Sequence, residues 1–235
     1  MIFQFKQFAI NQVDCTMKVN TDGVLLGALA DADNPQIILD IGTGTGVIAL
    51  MLAQRFPSAV IDAIDIDEQT MGTAIQNFED SIFANRIQGH PHSFETYFEQ
   101  KPEVKYDLIV SNPPFFINSL ESIDSSKKLA RHTNAHFFEQ LIRDASSHLA
   151  KDGFIWLVLP PEVATLVQSI GLKYQLFVQK EIQLHSFQHS TPHRVLIAMS
   201  FQQKEIERQS FVIYDHPKKY SQHYQSLLKD FLTIF

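Results

Sequence analysis

Three short stretches of this chain hold residue types that could do chemistry together. In the first, the apolar run Ile38-Leu39-Asp40-Ile41 enters Gly42-Thr43-Gly44-Thr45-Gly46 and passes straight into the helical pattern Val47 to Ala53. Glycines lack a Cβ, so a ligand can approach the backbone closely while the next helix starts with free N–H groups. The spacing is not that of a dinucleotide fingerprint, whose third glycine would fall at position 47, where this chain has Val47. In the second, the run Val60 to Asp67 ends in acids. Asp65 stands where a ribose-binding carboxylate is expected, and Asp67, before Glu68-Gln69-Thr70, is placed to cap the following helix. In the third, Tyr106 to Ser111 reads as a buried strand leading into Asn112-Pro113-Pro114-Phe115. Alone, the two prolines would only end a strand. Here the asparagine comes 70 residues after Gly42, room for two strand-helix units and a strand, which brings both turns to one sheet edge.

The form D-x-G-x-G-x-G, from Asp40 to Gly46, resembles the first motif of the class I S-adenosylmethionine-dependent methyltransferases, in which the turn holds the amino-acid end of the cofactor. Asn112 to Phe115 resembles the N-P-P-aromatic motif of methyltransferases acting on a nitrogen conjugated to a π system, such as an adenine amine or a glutamine amide. The lone pair of such a nitrogen is delocalised, so it is a poor nucleophile until its geometry is localised. The Asn112 oxygen and the Pro113 carbonyl can accept hydrogen bonds from the NH2, and Phe115 offers a face for base stacking. By this resemblance Asp40, Gly42, Thr43, Gly44, Gly46 and Asp65 hold the cofactor, S-adenosylmethionine, which leaves as S-adenosylhomocysteine. Ser93 stands near where the pattern often has an acid that reads the cofactor adenine. Thr21 and Asp22 precede the apolar segment Val24 to Ala30, either as part of a lid on the cofactor or only as a helix cap.

A narrower resemblance spans nearly the whole chain. Phe5-Lys6-Gln7-Phe8, Met17-Lys18-Val19 with Thr21-Asp22-Gly23, Ala130-Arg131, Val158-Leu159-Pro160, Pro192 to Leu196 and Tyr220-Ser221 with Tyr224 join the motifs above. Together they resemble the bacterial methyltransferases that place N6-methyladenosine at position 37 of a valine tRNA. That likeness implies tRNA as partner, no metal, Asn112 to Phe115 at the target base, and a loop containing Lys127, Lys128, Arg131 and His132 that faces RNA, the last on charge alone. The alternatives keep the fold and change the acceptor to guanine N2 of rRNA or a release-factor glutamine, or keep cofactor binding without catalysis as a scaffold on tRNA.

These residues need a parallel sheet to bring them together. Alternating apolar runs imply an α/β, Rossmann-like, doubly wound seven-stranded sheet, with strands near 36–41, 59–65, 86–90, 105–111, 153–159, 174–185 and 194–202. Helices are expected near 46–56, 67–79, 136–150, 160–170 and 220–233. No helix separates the last two strands, so the last should run antiparallel, forming an edge hairpin through the loop Ser186 to His193. Phe3 to Ile10 alternates as a half-buried strand turning around Asn11-Gln12. One methyltransferase domain over 1–235 is expected, with an N-terminal hairpin and lid in 1–35, the α/β core in 36–202, and a strand and helix in 203–235.

Composition fits that picture. The 235 residues are 45% hydrophobic and 19% charged, with no long apolar run or basic leader, which makes the cytoplasm the expected compartment and excludes a membrane span. The single Cys15 cannot form an internal disulfide. A net charge of −7 leaves RNA affinity to local clusters, of which His216-Pro217-Lys218-Lys219 is the second. His185, His189 and His193 recur every four residues, but Pro192 and the polar composition make that stretch a loop, not a metal site. His90 and His92 flank Pro91 at the end of the third strand, and nothing marks an obligate protein partner.

Overall fold

The structure is a computed structural model that describes residues 1–13, 15, 17–114 and 124–235, with only the backbone of 124–134. The chain opens with a hairpin of β1 (Ile2–Gln4) and β2 (Ala9–Asn11), paired antiparallel. The turn falls inside the expected strand, where the Phe5 N–H donates to the Phe8 carbonyl, because Phe5 and Phe8 stack at 4.4 Å and are buried together. The elements then alternate through α1 (Thr21–Leu29), β3 (Ile37–Ile41), α2 (Val47–Arg55), β4 (Val60–Ile64), α3 (Glu68–Glu79), β5 (Ile87–His90), α4 (Phe94–Gln100), β6 (Tyr106–Ser111), α5 (Asp124–Ser147), β7 (Leu149–Leu159), α6 (Pro161–Lys173), β8 (Phe177–Phe187) and β9 (Arg194–Ser200). The chain continues as β10 (Glu207–His216), β11 (Lys219–Tyr220) and α7 (Gln222–Leu228).

The main sheet has the order β11-β10-β8-β9-β7-β6-β3-β4-β5. All seven expected strands are in it, and β9 runs antiparallel to both neighbours, β7 and β8. Two further strands extend the sheet to nine among the described residues. The β8–β9 hairpin is therefore internal: β10 pairs in parallel with the outer side of β8 and covers the edge expected there. β8 also runs on to Phe187, which puts His185 in a strand rather than a loop. Adjacent residues in β3 face opposite cores. Ile38 packs with Leu25, Leu50, Met71 and Leu228 under α1, α2, α3 and α7, whereas Leu39 packs with Phe98, Ile142 and Val167 under α4, α5 and α6. Burial on both faces explains why the parallel strands read as continuous apolar runs.

Two helices depart from expectation. α4 has only seven residues, with apolar side chains at Phe94, Tyr97 and Phe98, too short to register as a period. α5 begins at Asp124, twelve residues before the expected start at 136, because the stretch 124–132 is polar and lacks an apolar stripe. Its backbone is helical where a loop was expected around Lys127, Lys128, Arg131 and His132.

Candidate active site

The carboxyl ends of β3, β4 and β6 meet at a cavity of about 480 Å³. Its floor is the glycine turn. Gly42, Gly44 and Gly46 all have positive φ, at 70°, 55° and 83°. The reasons differ. A Cβ on Gly42 or Gly44 would meet nothing within 4 Å, so these two leave open space above the backbone, whereas one on Gly46 would sit 2.3 Å from Cε1 of the buried Phe78 ring. The first two leave a cradle open to the cavity, and the third lets α2 approach α3 closely. Gly46 N-caps α2 with no side-chain cap, which leaves helix N–H groups near the cavity.

The turn is held from below. The Gly42 and Thr43 N–H groups both donate to the Ile64 carbonyl, at 2.8 and 3.0 Å. Asp40 is fully buried, and its Oδ2 accepts from the Thr43 hydroxyl at 2.6 Å and the Ala49 N–H at 3.2 Å. Its Oδ1 has no hydrogen-bond partner among the described residues. Burial pushes this carboxyl up to about 7, the Thr43 and Ala49 hydrogen bonds oppose the rise, and the nearby Asp65 charge adds a little to it. Asp40 does not line the cavity, so it is placed as a brace behind the turn rather than as a ligand contact.

Asp65 lies on the wall. Its Oδ2 accepts from the Gly44 N–H at 2.9 Å and its Oδ1 from the Asp67 N–H at 3.0 Å, leaving lone pairs on both oxygens for a diol. Asp67 caps α3 by accepting from the Thr70 N–H at 2.7 Å. Between them Ile66 lines the cavity while 74% exposed, an apolar lip that a planar ring could cover. Ser93 also lines the cavity, but its hydroxyl is committed to capping α4, accepting from the Thr96 N–H at 3.3 Å. His92 and Phe94 beside it share the wall, while His90 turns away and bonds Asp62 at 3.0 Å.

Thr21 and Asp22 are not brought to this wall. Asn20 caps α1, in extended conformation and accepting from the Gly23 N–H at 2.9 Å, and it is Asn20 that lines the cavity with Met17 and Lys18. Asp22 instead pairs with Arg194 of β9 at 2.7 Å, which ties α1 to the sheet. The opposite wall is Ser111, Asn112, Pro113 and Pro114, so the Asn112-Pro113-Pro114 turn and the glycine turn open into one space. The Ser111 hydroxyl donates to the Ile41 carbonyl at 2.8 Å, joining the bases of the two turns. Phe115 lies outside the described residues, as do the side chains of Lys127, Lys128, Arg131 and His132.

Sequence reasoning did not single out Ile66 and Phe94 as lining residues, and it put Lys18 and Asn20 only in the segment before α1 without choosing them. Asn20 could have been found from its type and place before the helix, since asparagine is a better cap than threonine. Ile66 had a signal too, as a lone apolar residue between two acids past a strand end. Among the described residues no three His, Cys, Asp or Glu side chains gather to hold a metal, and no helix is long and apolar enough to cross a membrane.

A mostly parallel sheet whose central β9 is reversed, a glycine turn after one strand and an acid after the next define a class I methyltransferase. A family model described as "Methyltransferase small domain" matches residues 8–170. The chain belongs to the family of tRNA1(Val) (adenine(37)-N6)-methyltransferases, being 43% identical over 233 residues to the protein of that name from Pedobacter heparinus, across 99% of this chain and 98% of that one. The protein of the same name from Parabacteroides distasonis is also 43% identical, over 97% of this chain and 96% of that one. Among solved structures, a predicted O-methyltransferase from Agrobacterium tumefaciens has a TM-score of 0.68 at 16% identity, covering 89% of this chain and 96% of that one, a likeness of fold.

Proposed function

We propose that this protein transfers a methyl group from S-adenosylmethionine to the exocyclic N6 of an adenine in tRNA, adenine 37 of a valine tRNA, and releases S-adenosylhomocysteine. The observation that carries this reading is the single cavity shared by the glycine turn and the Asn112-Pro113-Pro114 turn. The residues present fit the cofactor. Gly42 and Gly44 leave room over the backbone, Asp65 can accept from the two ribose hydroxyls, and Ile66 and Phe94 offer apolar surface to the adenine. Bound there, the sulfonium supplies an activated methyl carbon, so neither a metal nor a covalent enzyme intermediate is required.

This chain's own residues then act on the acceptor. Asn112 Oδ1 and the Pro113 carbonyl accept from the two hydrogens of the amine, which draws the nitrogen lone pair out of conjugation and toward the methyl group. With the donor bound, the nitrogen would take up the methyl group as the sulfonium leaves as the neutral thioether, and one amine proton would pass to solvent. Most of the acceleration comes from holding nitrogen, carbon and sulfur in line. A tRNA substrate agrees with a cytoplasmic location.

The test is incubation of the purified protein with methyl-labelled S-adenosylmethionine and tRNA lacking this modification, followed by nucleoside mass spectrometry. Labelled N6-methyladenosine, mapped to position 37 of valine tRNA, is the expected result. Label in guanine N2 of rRNA or in a protein glutamine would overturn the substrate while leaving methyl transfer standing. No transfer to any acceptor despite cofactor binding would leave a scaffold.

A further inference from the structure

The β10–β11 edge of the sheet carries a second concave surface that the chemistry above does not use. A groove of about 570 Å³ is lined by Phe187, Tyr214, Pro217, Lys218 and Tyr220. Its rings form a continuous run. Phe187, 40% exposed, lies 5.8 Å from Tyr214, and Tyr214 stacks on Tyr220 at 5.0 Å with planes 23° apart. Tyr220 stacks in turn on the buried Tyr224 at 4.7 Å and 7°. Rings anchored at a buried end present a fixed outer face at little entropic cost.

Cations border those rings. Lys218, on the turn between β10 and β11, and Lys219, which opens β11, are both exposed, and neither pairs with an acid among the described residues. His216 and a single acid, Asp215, are exposed beside them. In a chain of net charge −7, this is a local reversal of sign next to stacked aromatics. That pairing of features suits single-stranded nucleic acid, with bases on ring faces and phosphates on lysines.

The groove also lies toward the carboxyl edge of the sheet, as the active site does. Ser111 is in register with Leu157, Leu157 with Ile197, Ile197 with Glu181 and Glu181 with Arg208, and β10 runs in the same direction as β6. Tyr214 is six positions beyond Arg208, toward the carboxyl edge from which Asn112 also projects. Four strand spacings separate β6 from β10, roughly 19 Å across the sheet, and the six residues from Arg208 to Tyr214 add about 20 Å along β10.

We propose that this groove docks the RNA substrate, an unpaired base of the same RNA lying against the exposed Phe187 ring, which the Tyr214–Tyr220–Tyr224 stack holds in place, while adjoining phosphates meet Lys218 and Lys219. The inference rests on the tRNA reading above. Its test compares the full-length protein with the double variant Lys218→Glu, Lys219→Glu and with Phe187→Ala, for tRNA affinity across a salt series, cofactor affinity, and turnover at saturating tRNA.

The charge-reversal variant is expected to bind tRNA at least roughly tenfold more weakly, and its salt dependence to flatten by about one unit of slope per lysine. Phe187→Ala is expected to weaken binding about fivefold or more with the salt slope unchanged. Cofactor affinity and saturated turnover should stay at wild-type values in both, which separates docking from misfolding. tRNA affinities within about twofold of an active wild type would overturn the docking site alone. A wild-type protein that neither binds nor methylates tRNA would overturn the functional reading and the docking site together. A variant that changes oligomeric state while keeping tRNA affinity would assign the groove to a second copy of the chain and overturn RNA docking.

Discussion

The two turns that face each other across the cavity are built by different means. The glycine turn is held by other parts of the chain: the Ile64 carbonyl, the Asp65 carboxylate, the buried Asp40, and Asn77, whose Nδ2 donates to the Thr45 carbonyl at 2.9 Å. Asn77 also exchanges hydrogen bonds with the Asn11 backbone, so the N-terminal hairpin braces the same turn. The Asn112 turn takes its shape from covalent structure, with two prolines fixing φ and the Ser111 hydroxyl anchoring its base. Damage to the first turn should therefore be felt in folding and ligand affinity, and damage to the second in turnover.

The largest separation is expected at Asn112. On the proposed mechanism Asn112→Ala removes an acceptor needed only as the amine reacts, so it should lower kcat by roughly a hundred- to a thousandfold, by analogy with loss of one transition-state hydrogen bond. Cofactor affinity, read by calorimetry, should hardly move. Equal loss of both would mean that the asparagine supports the fold and would erase the contrast between the turns.

Gly46 probes the other side. Gly46→Ala forces a Cβ into the buried Phe78 ring at a backbone φ of 83°, so left-handed strain and overpacking combine to an expected loss of about 2–5 kcal/mol. Gly44→Ala, with open space above it, should cost only the strain, about 1–2 kcal/mol, yet obstruct the ligand cradle. Urea denaturation of the two variants measures the difference. Equal losses would mean that the Phe78 ring yields and that Gly46 is present for its φ alone.

Much of this was legible in the sequence because it rests on local rules. The glycine spacing, the acid ending the next strand and the cap at Asp67 depend on nearby residues, and each lies where its type and order place it. Asp40 and Asp22 were harder. Both are acids at motif positions, and only the three-dimensional packing shows that one braces the turn from a buried site and that the other is paired with Arg194, 172 residues away. The covered edge of β8 was invisible for a related reason, since nothing in Glu207 to His216 says that it will pair in parallel with a strand already in a hairpin. Long-range pairing is a tertiary choice, whereas caps and turns are not.

Asp40 offers the finest test of how the glycine turn is held. Its carboxyl is pushed from 3.8 up to about 7 by burial, so the folded protein binds a proton more tightly there than the unfolded chain does. This contribution to stability is greatest below pH 4 and is lost as pH rises toward 7, the reverse of a salt-bridged carboxylate. Asp40→Asn cannot ionise and keeps an oxygen for the Thr43 hydroxyl and the Ala49 N–H, so its unfolding free energy should fall less steeply between pH 4 and 7. The wild-type excess slope should integrate to a few kcal/mol at most, since one pKa unit is about 1.4 kcal/mol. Urea unfolding at several pH values measures both curves. Parallel curves would mean that the buried carboxyl is ionised and solvated through the turn, in which case the brace behind the cradle is an anion rather than a neutral acid.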